Sequence, residues 1–317
     1  MFPPQGKYFK WITNIKKAGV LRPWKTPARS CRYALPGDIA QPLSLLIVID
    51  DHRHFDKLIQ AQHKKHPHFG DFEYLDIFKS VSSIKFLLKL ENYKQKTIES
   101  FLGLKREDEK TGGDLIHVYF THVKHPTEET MHLLRIHNYE DVLHMIDLLS
   151  VLSYLEVLNG QYTILSHRID HYHAYDGTEG EEWIITMQND YPVPRQLSCK
   201  QDCFYLMIGK NRTSLRIPVY EGELHYFYSN YRDYYYLKKE DMAFVDKEYR
   251  ENAKASNCYT RKSGKFLPQY NNVMQPEFRK EYKDKISYFE MTDDFCTSDI
   301  MLRRYIDHIL KNMMGKK

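Results

Sequence analysis

The stretch LLRIHNYEDVLHMIDLLSVLSY, Leu133–Tyr154, is the one around which the chain is organised. From Asn138 onward its apolar residues recur at helical spacing, and Asn138 is a suitable N-cap for the predicted helix. At about 100° per residue, Asp141 shares a side with three apolar residues, Met145, Leu148 and Leu152. The predicted polar stripe of the helix consists of Glu140, His144 and Asp147.

Asp141 is informative because its carboxylate is predicted to face the packed side of this helix. Burial of a charge is costly unless a hydrogen bond, a cation or a metal ion compensates it. Asp141 therefore has either a structural partner, such as a cap interaction with the backbone of Asn138, or a chemical one. The pattern alone leaves both partners open.

Composition restricts the class of protein. The chain has 317 residues, enough for two domains, and 42 % of them are hydrophobic, which excludes a wholly disordered protein. It has no apolar run of about 18 residues and no secretory leader, so we expect no membrane contact and a cytoplasmic location. Five scattered cysteines agree with reduced thiols in the cytosol.

The predicted fold class is α/β, with a helix-rich part followed by an antiparallel β meander and C-terminal helices. The run Leu43–Asp50 is predicted to be a buried strand, and Arg53–His66 and Leu75–Leu90 are predicted helices. The segment KREDEKTGG has the composition of a loop, and Asn159–Gly160 ends the helical part.

After this point the apolar period changes to that of strands. Short aromatic and β-branched runs predict the meander, namely Trp183–Gln188, Phe204–Ile208, Ser214–Tyr220 and Glu223–Tyr228. The sequence from Glu240 onward is polar and helical in outline, with a last helix from about Ser298 to Met313. The predicted organisation is a basic proline-containing arm, an α/β domain, a β-meander region and a helical C-terminal region, over 1–42, 43–159, 160–240 and 241–317.

The N-terminal arm carries only positive charges before Asp38. Eight lysines and arginines precede the first acid, Asp38, and they alternate with aromatic residues. Such a segment can follow a phosphate backbone and stack bases, although a basic tail is also commonly just solvated. The candidate nucleic-acid-binding residues are Lys10, Lys16, Lys17 and Arg22.

Acids in the α/β part are spaced as a metal site would require. Asp56 follows the predicted strand, Asp76 lies in YLDIF and Asp141 lies in HNYED. Metal-assisted phosphodiester cleavage needs carboxylates gathered at strand ends and helix starts, because two divalent cations must be held about 4 Å apart. Asp76 fits this role or that of an N-terminal helix acid equally well.

These segments resemble a known family. LLIVIDDHRHFDKLIQAQHKKH, EYLDIFKS, LGLKRED and HNYED, within about Leu43–Leu158, look like the later two-thirds of the YprB-like ribonuclease-H-like domain. The resemblance implies that the α/β domain over 43–159 is a partial ribonuclease-H-like, exonuclease-type domain. It further implies a DEDD-type 3′–5′ exonuclease with two Mg²⁺ or Mn²⁺ ions. It implies that Asp56 and Asp141 are metal ligands and catalytic acids, and that His137 orients or deprotonates the attacking water.

The chain departs from this family in two places. The family's first strand carries Asp-x-Glu, and no such pair precedes Asp56 here, so we expect an N-terminally incomplete domain with impaired activity. Where the family has Asn-Gly, this chain has Asp51–His52, and Asp51 is a candidate extra metal ligand. The strand at Leu43–Asp50 is expected to lack neighbours, which would favour self-association or a protein partner.

Two functions follow from the sequence. The first is a metal-dependent 3′–5′ exonuclease-like nuclease acting on single-stranded or 3′-ended nucleic acid. The alternative is a non-catalytic nucleic-acid-binding or protein-interaction scaffold derived from such a nuclease. In both, the tyrosine-rich meander is either a set of half-buried aromatic pairs or a platform for base stacking.

Overall fold

A computed structural model describes residues 45–48, 73–173, 177, 179–228, 235–237, 242–244, 259–271 and 273–315. These residues divide into two compact units. The first contains the described residues up to Val157 together with Tyr191–Gln196, and the second contains Leu158–Asp190 and the described residues from Leu197 onward. The predicted domain boundaries at 42, 159 and 240 stay predictions.

The first unit begins with two parallel strands, β1 (Leu45–Val48) and β2 (Glu73–Asp76). The register aligns Val48 with Asp76. The expectation that the first strand lacks neighbours is therefore wrong, because β2 pairs with it. Self-association through this strand stays a prediction. The predicted helix over Arg53–His66 lies outside the described residues.

The predicted helix over Leu75–Leu90 is wrong at its start and divided in its middle. Its first residues belong to β2, and two short helices follow, α1 (Ile77–Ser82) and α2 (Lys85–Leu88). The predicted inward residues are buried except for Phe78, with Ile77, Val81, Ile84, Leu87 and Leu88 in the core. The helical period was therefore correct, but pairing with β1 takes over the first residues.

Longer helices complete the first unit. Helix α3 (Gln95–Leu102) ends at Gly103, α4 (Gly112–Lys124) follows the KREDEKTGG loop, and α5 (Glu128–Leu143) comes next. After α5 the chain continues through α6 (Met145–Leu148), a 3₁₀ turn (Leu149–Leu152) and α7 (Ser153–Leu158). Gly160, with φ of +93°, follows the last of these helices, as the sequence predicted.

The predicted helix start at Asn138 is wrong. Helix α5 begins ten residues earlier, where the Thr127 side chain accepts a hydrogen bond from the backbone N–H of Thr130. The Asn138 side chain donates to the carbonyl of Leu134, one turn back, at 2.9 Å. This local bond satisfies the amide inside a continuous helix, so asparagine is tolerated there.

The second unit is built on an antiparallel sheet that has seven strands in the described part of the chain. The strands are β3 (Tyr162–His173), β4 (Glu179–Asn189), β5 (Leu197–Gln201), β6 (Phe204–Ile208), β7 (Arg212–Phe227), β10 (Tyr259–Tyr270) and β11 (Ile286–Glu290). Their order in the sheet is β11-β10-β7-β4-β3, and in addition β5 pairs with β6 and β6 pairs with β7. A separate pair, β8 (Tyr235–Leu237) and β9 (Met242–Phe244), lies between β7 and β10 in the chain.

The predicted break at Glu221–Gly222 is wrong, because β7 continues through it. The first half of β7 lies between β4 and β6, and its second half pairs with β10, where Gly222 faces Gly264. Two glycines opposite each other leave both backbones free to pair closely. The tyrosines of this half are partly buried on the Leu224, Phe266 and Phe278 cluster, which favours their role as aromatic pairs.

The C-terminal region holds strands that the sequence did not predict. Both β10 and β11 lie after Glu240, so the helical outline there is wrong over their length. Buried polar residues such as Gln269 and Ser287 obscure the strand period in these segments. The remaining elements are α8 (Asp293–Thr297) and α9 (Asp299–Gly315), and α9 confirms the predicted last helix. The predicted fold class is confirmed.

Candidate functional site

The sequence-predicted site residues divide by where the structure describes the chain. His137 and Asp141 lie on helix α5 and are described. The others lie outside the described residues, namely Asp51, Asp56, Lys10, Lys16, Lys17 and Arg22. Among the described predicted residues, the structure brings His137 and Asp141 together.

Helix α5 places these two side chains on one face, four residues apart. The Nε2 atom of His137 lies 3.3 Å from Oδ2 of Asp141, and each side chain is 15 % exposed. This low exposure supports the prediction that Asp141 faces the packed side. Met145, Leu148 and Leu152 are buried as well, but they lie beyond the end of α5.

Arg106 is the partner of Asp141 that sequence reasoning missed. Its Nη2 atom lies 2.7 Å from Oδ1 of Asp141, and its Nη1 atom lies 2.8 Å from Oε2 of Glu99. The Nε atom lies 3.3 Å from Oε2 of Glu140, and the Arg106 side chain is only 8 % exposed. The predicted cap interaction of Asp141 with Asn138 is wrong, because a cation from the KREDEKTGG loop compensates the charge.

Burial and ion pairing act in opposite directions on Arg106. Burial alone would lower the pKa of the guanidinium, but hydrogen bonds to Glu99 and Asp141 outweigh it and raise that pKa further. Arg106 is therefore a permanent positive charge among carboxylates.

Asp108 links the same loop to His137. Its Oδ2 atom accepts hydrogen bonds from Nδ1 of His137 at 2.5 Å and from Nζ of Lys96 at 2.8 Å, and Oδ1 accepts from the Lys110 amide. Burial would raise the pKa of Asp108, but these hydrogen bonds outweigh it and lower the pKa to about 2. Because a carboxylate only accepts, Nδ1 of His137 carries a proton and Nε2 faces Asp141.

Glu140 fixes the loop to helix α5. Its carboxylate accepts hydrogen bonds from the backbone amides of Glu107 at 2.7 Å and Asp108 at 3.1 Å. The predicted polar stripe is wrong for Glu140 and His144, which are both buried. Glu140 is covered by the loop and its Arg106, and His144, just past the end of α5, has its Nδ1 atom 3.5 Å from Oε1 of the buried Glu99.

Asp76 has a structural role. It is the N-cap of α1, and its Oδ1 atom accepts a hydrogen bond from the Lys79 amide at 2.8 Å. This is the helix-acid interpretation of the two that the sequence allowed.

The carboxylates seen here do not fit a divalent metal ion in this arrangement. Within the described ranges, no group of three or more histidines, cysteines, aspartates or glutamates is placed to hold a metal. One oxygen of Asp141 pairs with Arg106 and the other faces His137, whereas a metal ligand offers its oxygen to the cation directly.

A comparison with known proteins matches part of the chain to a family model. Residues 47–153 match the RNase_H_2 family model, described as RNase_H superfamily. A search of curated proteins and a search of solved structures each gave no match. The resemblance to a ribonuclease-H-like domain is thus confirmed at the level of the superfamily, and the YprB-like subfamily stays a prediction. In the part of the chain that is described, no helix is long and apolar enough to cross a bilayer.

Proposed function

We propose that the chain is a metal-dependent 3′–5′ exonuclease-like nuclease acting on single-stranded or 3′-ended nucleic acid. The observation that supports this is the superfamily match over 47–153, because the matched segment includes Asp56, His137 and Asp141. RNase H superfamily members generally use divalent metals, and the proposed cofactor is Mg²⁺ or Mn²⁺.

The proposed roles follow the sequence. Asp56 and Asp141 are the proposed metal ligands, Asp51 is a third candidate ligand, and His137 orients or deprotonates the attacking water. In the arrangement described above, Asp141 is engaged by Arg106 and His137. Low activity is therefore part of the proposal.

A non-catalytic scaffold derived from such a nuclease is the second candidate. It is favoured by the ion pair between Arg106 and Asp141, at 2.7 Å, because a carboxylate neutralised by an internal cation has no need of a metal ion. Such a protein would bind nucleic acid or a protein partner without cleaving it.

The deciding experiment measures release of 3′-terminal nucleotides from labelled single-stranded DNA and RNA with Mn²⁺. The proteins compared are wild type, Asp56→Asn and Asp141→Asn. Glu109→Gln is the control, because it removes an exposed acid from the KREDEKTGG loop. Release by wild type and the control, but not by the two aspartate variants, supports the nuclease. No release by any protein, with nucleic acid still bound, supports the scaffold.

The basic arm is proposed to supply phosphate contacts. Replacing Lys10, Lys16, Lys17 and Arg22 by glutamine should weaken binding and flatten its salt dependence, by about 0.7 in the log–log slope per lost contact on a single strand. An affinity that does not change with salt in wild type would refute this part of the proposal.

A further inference from the structure

We propose that Arg106 is the resident cation of the candidate site and that it holds Asp141 in place of a divalent metal ion. This inference rests on the proposed function only in that Asp141 is the acid a metal ion would use. It favours the scaffold candidate, because Asp141 of the wild-type protein then holds no metal ion. It adds a reason for low activity that lies in the chain's own residues.

The first support is the number of acids around one guanidinium. Four carboxylates lie within 3.4 Å of its nitrogen atoms, those of Glu99, Asp108, Glu140 and Asp141. The side chains of Glu99 and Asp108 are each 1 % exposed, so neither can rely on water for compensation. Buried carboxylates at this density require a cation. Arg106 supplies it for Glu99, Glu140 and Asp141, whereas Asp108 is also paired with Lys96 at 2.8 Å.

The second support is that both helices that contribute acids to Arg106, α3 and α5, are themselves held in place by hydrogen bonds. Glu140 binds the two backbone amides that follow Arg106 in the chain, at 2.7 and 3.1 Å. Gln95 donates to Glu99 and to the backbone carbonyl of Asp141, each at 2.9 Å, and so joins the acid on α3 to helix α5. These hydrogen bonds between the loop, α3 and α5 therefore fix the guanidinium, and its ion pairs differ from those of a mobile surface arginine.

The third support is the engagement of Asp141 itself. Arg106 approaches Oδ1 at 2.7 Å, and His137 lies 3.3 Å from Oδ2. A metal ion on either oxygen would lie close to a permanent positive charge and would be repelled by it. Metal binding at Asp141 thus requires that Arg106 leave or be removed.

The test is Mn²⁺ binding to the full chain, measured from the electron paramagnetic resonance of the free ion. Arg106→Gln removes the charge, Arg106→Lys keeps it, and Arg135→Gln removes an exposed charge from α5 as a matched control. We expect Arg106→Gln to bind Mn²⁺ at least tenfold more tightly than wild type. The double variant Arg106→Gln/Asp141→Asn should lose this gain. Arg106→Lys and Arg135→Gln should bind Mn²⁺ as wild type does. An Arg106→Gln protein that binds no more tightly than wild type would overturn the proposal.

Two further comparisons cover the case in which Arg106→Gln does not fold. Arg106→Gln/Glu99→Gln removes one buried acid together with the cation, and the same tenfold gain is expected. Wild type against Asp141→Asn needs no change at Arg106, and equal Mn²⁺ affinity is expected. Weaker binding by Asp141→Asn would mean that Asp141 already holds the ion beside Arg106, which overturns the proposal.

The outcome is separable from that of the proposed function. A wild-type protein without nuclease activity, whose Arg106→Gln variant gains Mn²⁺ binding, would retain this inference and reject the active nuclease. A wild-type protein that is active and whose Mn²⁺ affinity depends on Asp141 would retain the nuclease proposal and reject this inference.

Discussion

Replacing Asp108 by asparagine should destabilise the first unit in a way that depends on pH. The Asp108 carboxylate is 1 % exposed and accepts hydrogen bonds from Lys96, His137 and the Lys110 amide. Asparagine retains the shape but removes the negative charge that these donors face. Helix α5 and the loop after α3 would lose the link that orients His137.

The magnitude follows from the pKa of Asp108. The ordinary value is 3.8 and the folded value is about 2, which corresponds to about 2 kcal/mol at about 1.36 kcal/mol per pKa unit. Because the folded pKa is the lower one, this stability is present above the ordinary pKa and is lost as the pH falls through the folded pKa. About half of it should be gone by about pH 3.

The assay is urea unfolding followed by far-UV circular dichroism, with wild type and Asp108→Asn compared from about pH 7 to about pH 3. We expect the wild-type advantage to be about 2 kcal/mol at neutral pH and to shrink to about 1 kcal/mol at the acid end. Glu109→Gln, a change of an exposed acid next to Asp108, serves as the control. A constant difference between wild type and Asp108→Asn across this range would refute the reasoning.

Two further predictions concern single residues, Thr127 and Gly160, that fix the local backbone. Thr127→Ala removes the hydroxyl that accepts a hydrogen bond from the Thr130 amide at the start of α5, and thermal unfolding should show a loss of about 1 kcal/mol in the free energy of unfolding. The control Thr121→Ala, on the exposed surface of α4, should cost less stability. Equal losses in the two variants would contradict the capping role of Thr127. Gly160→Ala should cost about 1–2 kcal/mol in urea unfolding, because Gly160 has φ of +93° and an added Cβ would lie 3.0 Å from Nη2 of Arg303; an unchanged midpoint would show that this turn relaxes freely.

The elements that the sequence predicted well are those with a local and regular pattern. The last helix and the strands near Trp183 and Phe204 follow from residue spacing alone. The strands β10 and β11 were missed because their buried polar residues interrupt the alternation. The short strand β2 was missed because four residues, without their partner β1, give too little signal.

The sequence by itself determined that Asp141 lies on a helix, because the apolar residues around it recur at helical spacing. It did not place His137 on that helix, because the helix was predicted to begin at Asn138. The sequence also carries the match of residues 47–153 to the RNase_H superfamily model, since the motifs behind the resemblance are contiguous stretches. Only the tertiary structure decided what neutralises Asp141. The distance along the chain from Arg106 to Asp141 is 35 residues, and a loop rich in charges gives no sign of which one will be buried. Ion pairing of this kind depends on how a loop folds back onto a helix, which no local period encodes.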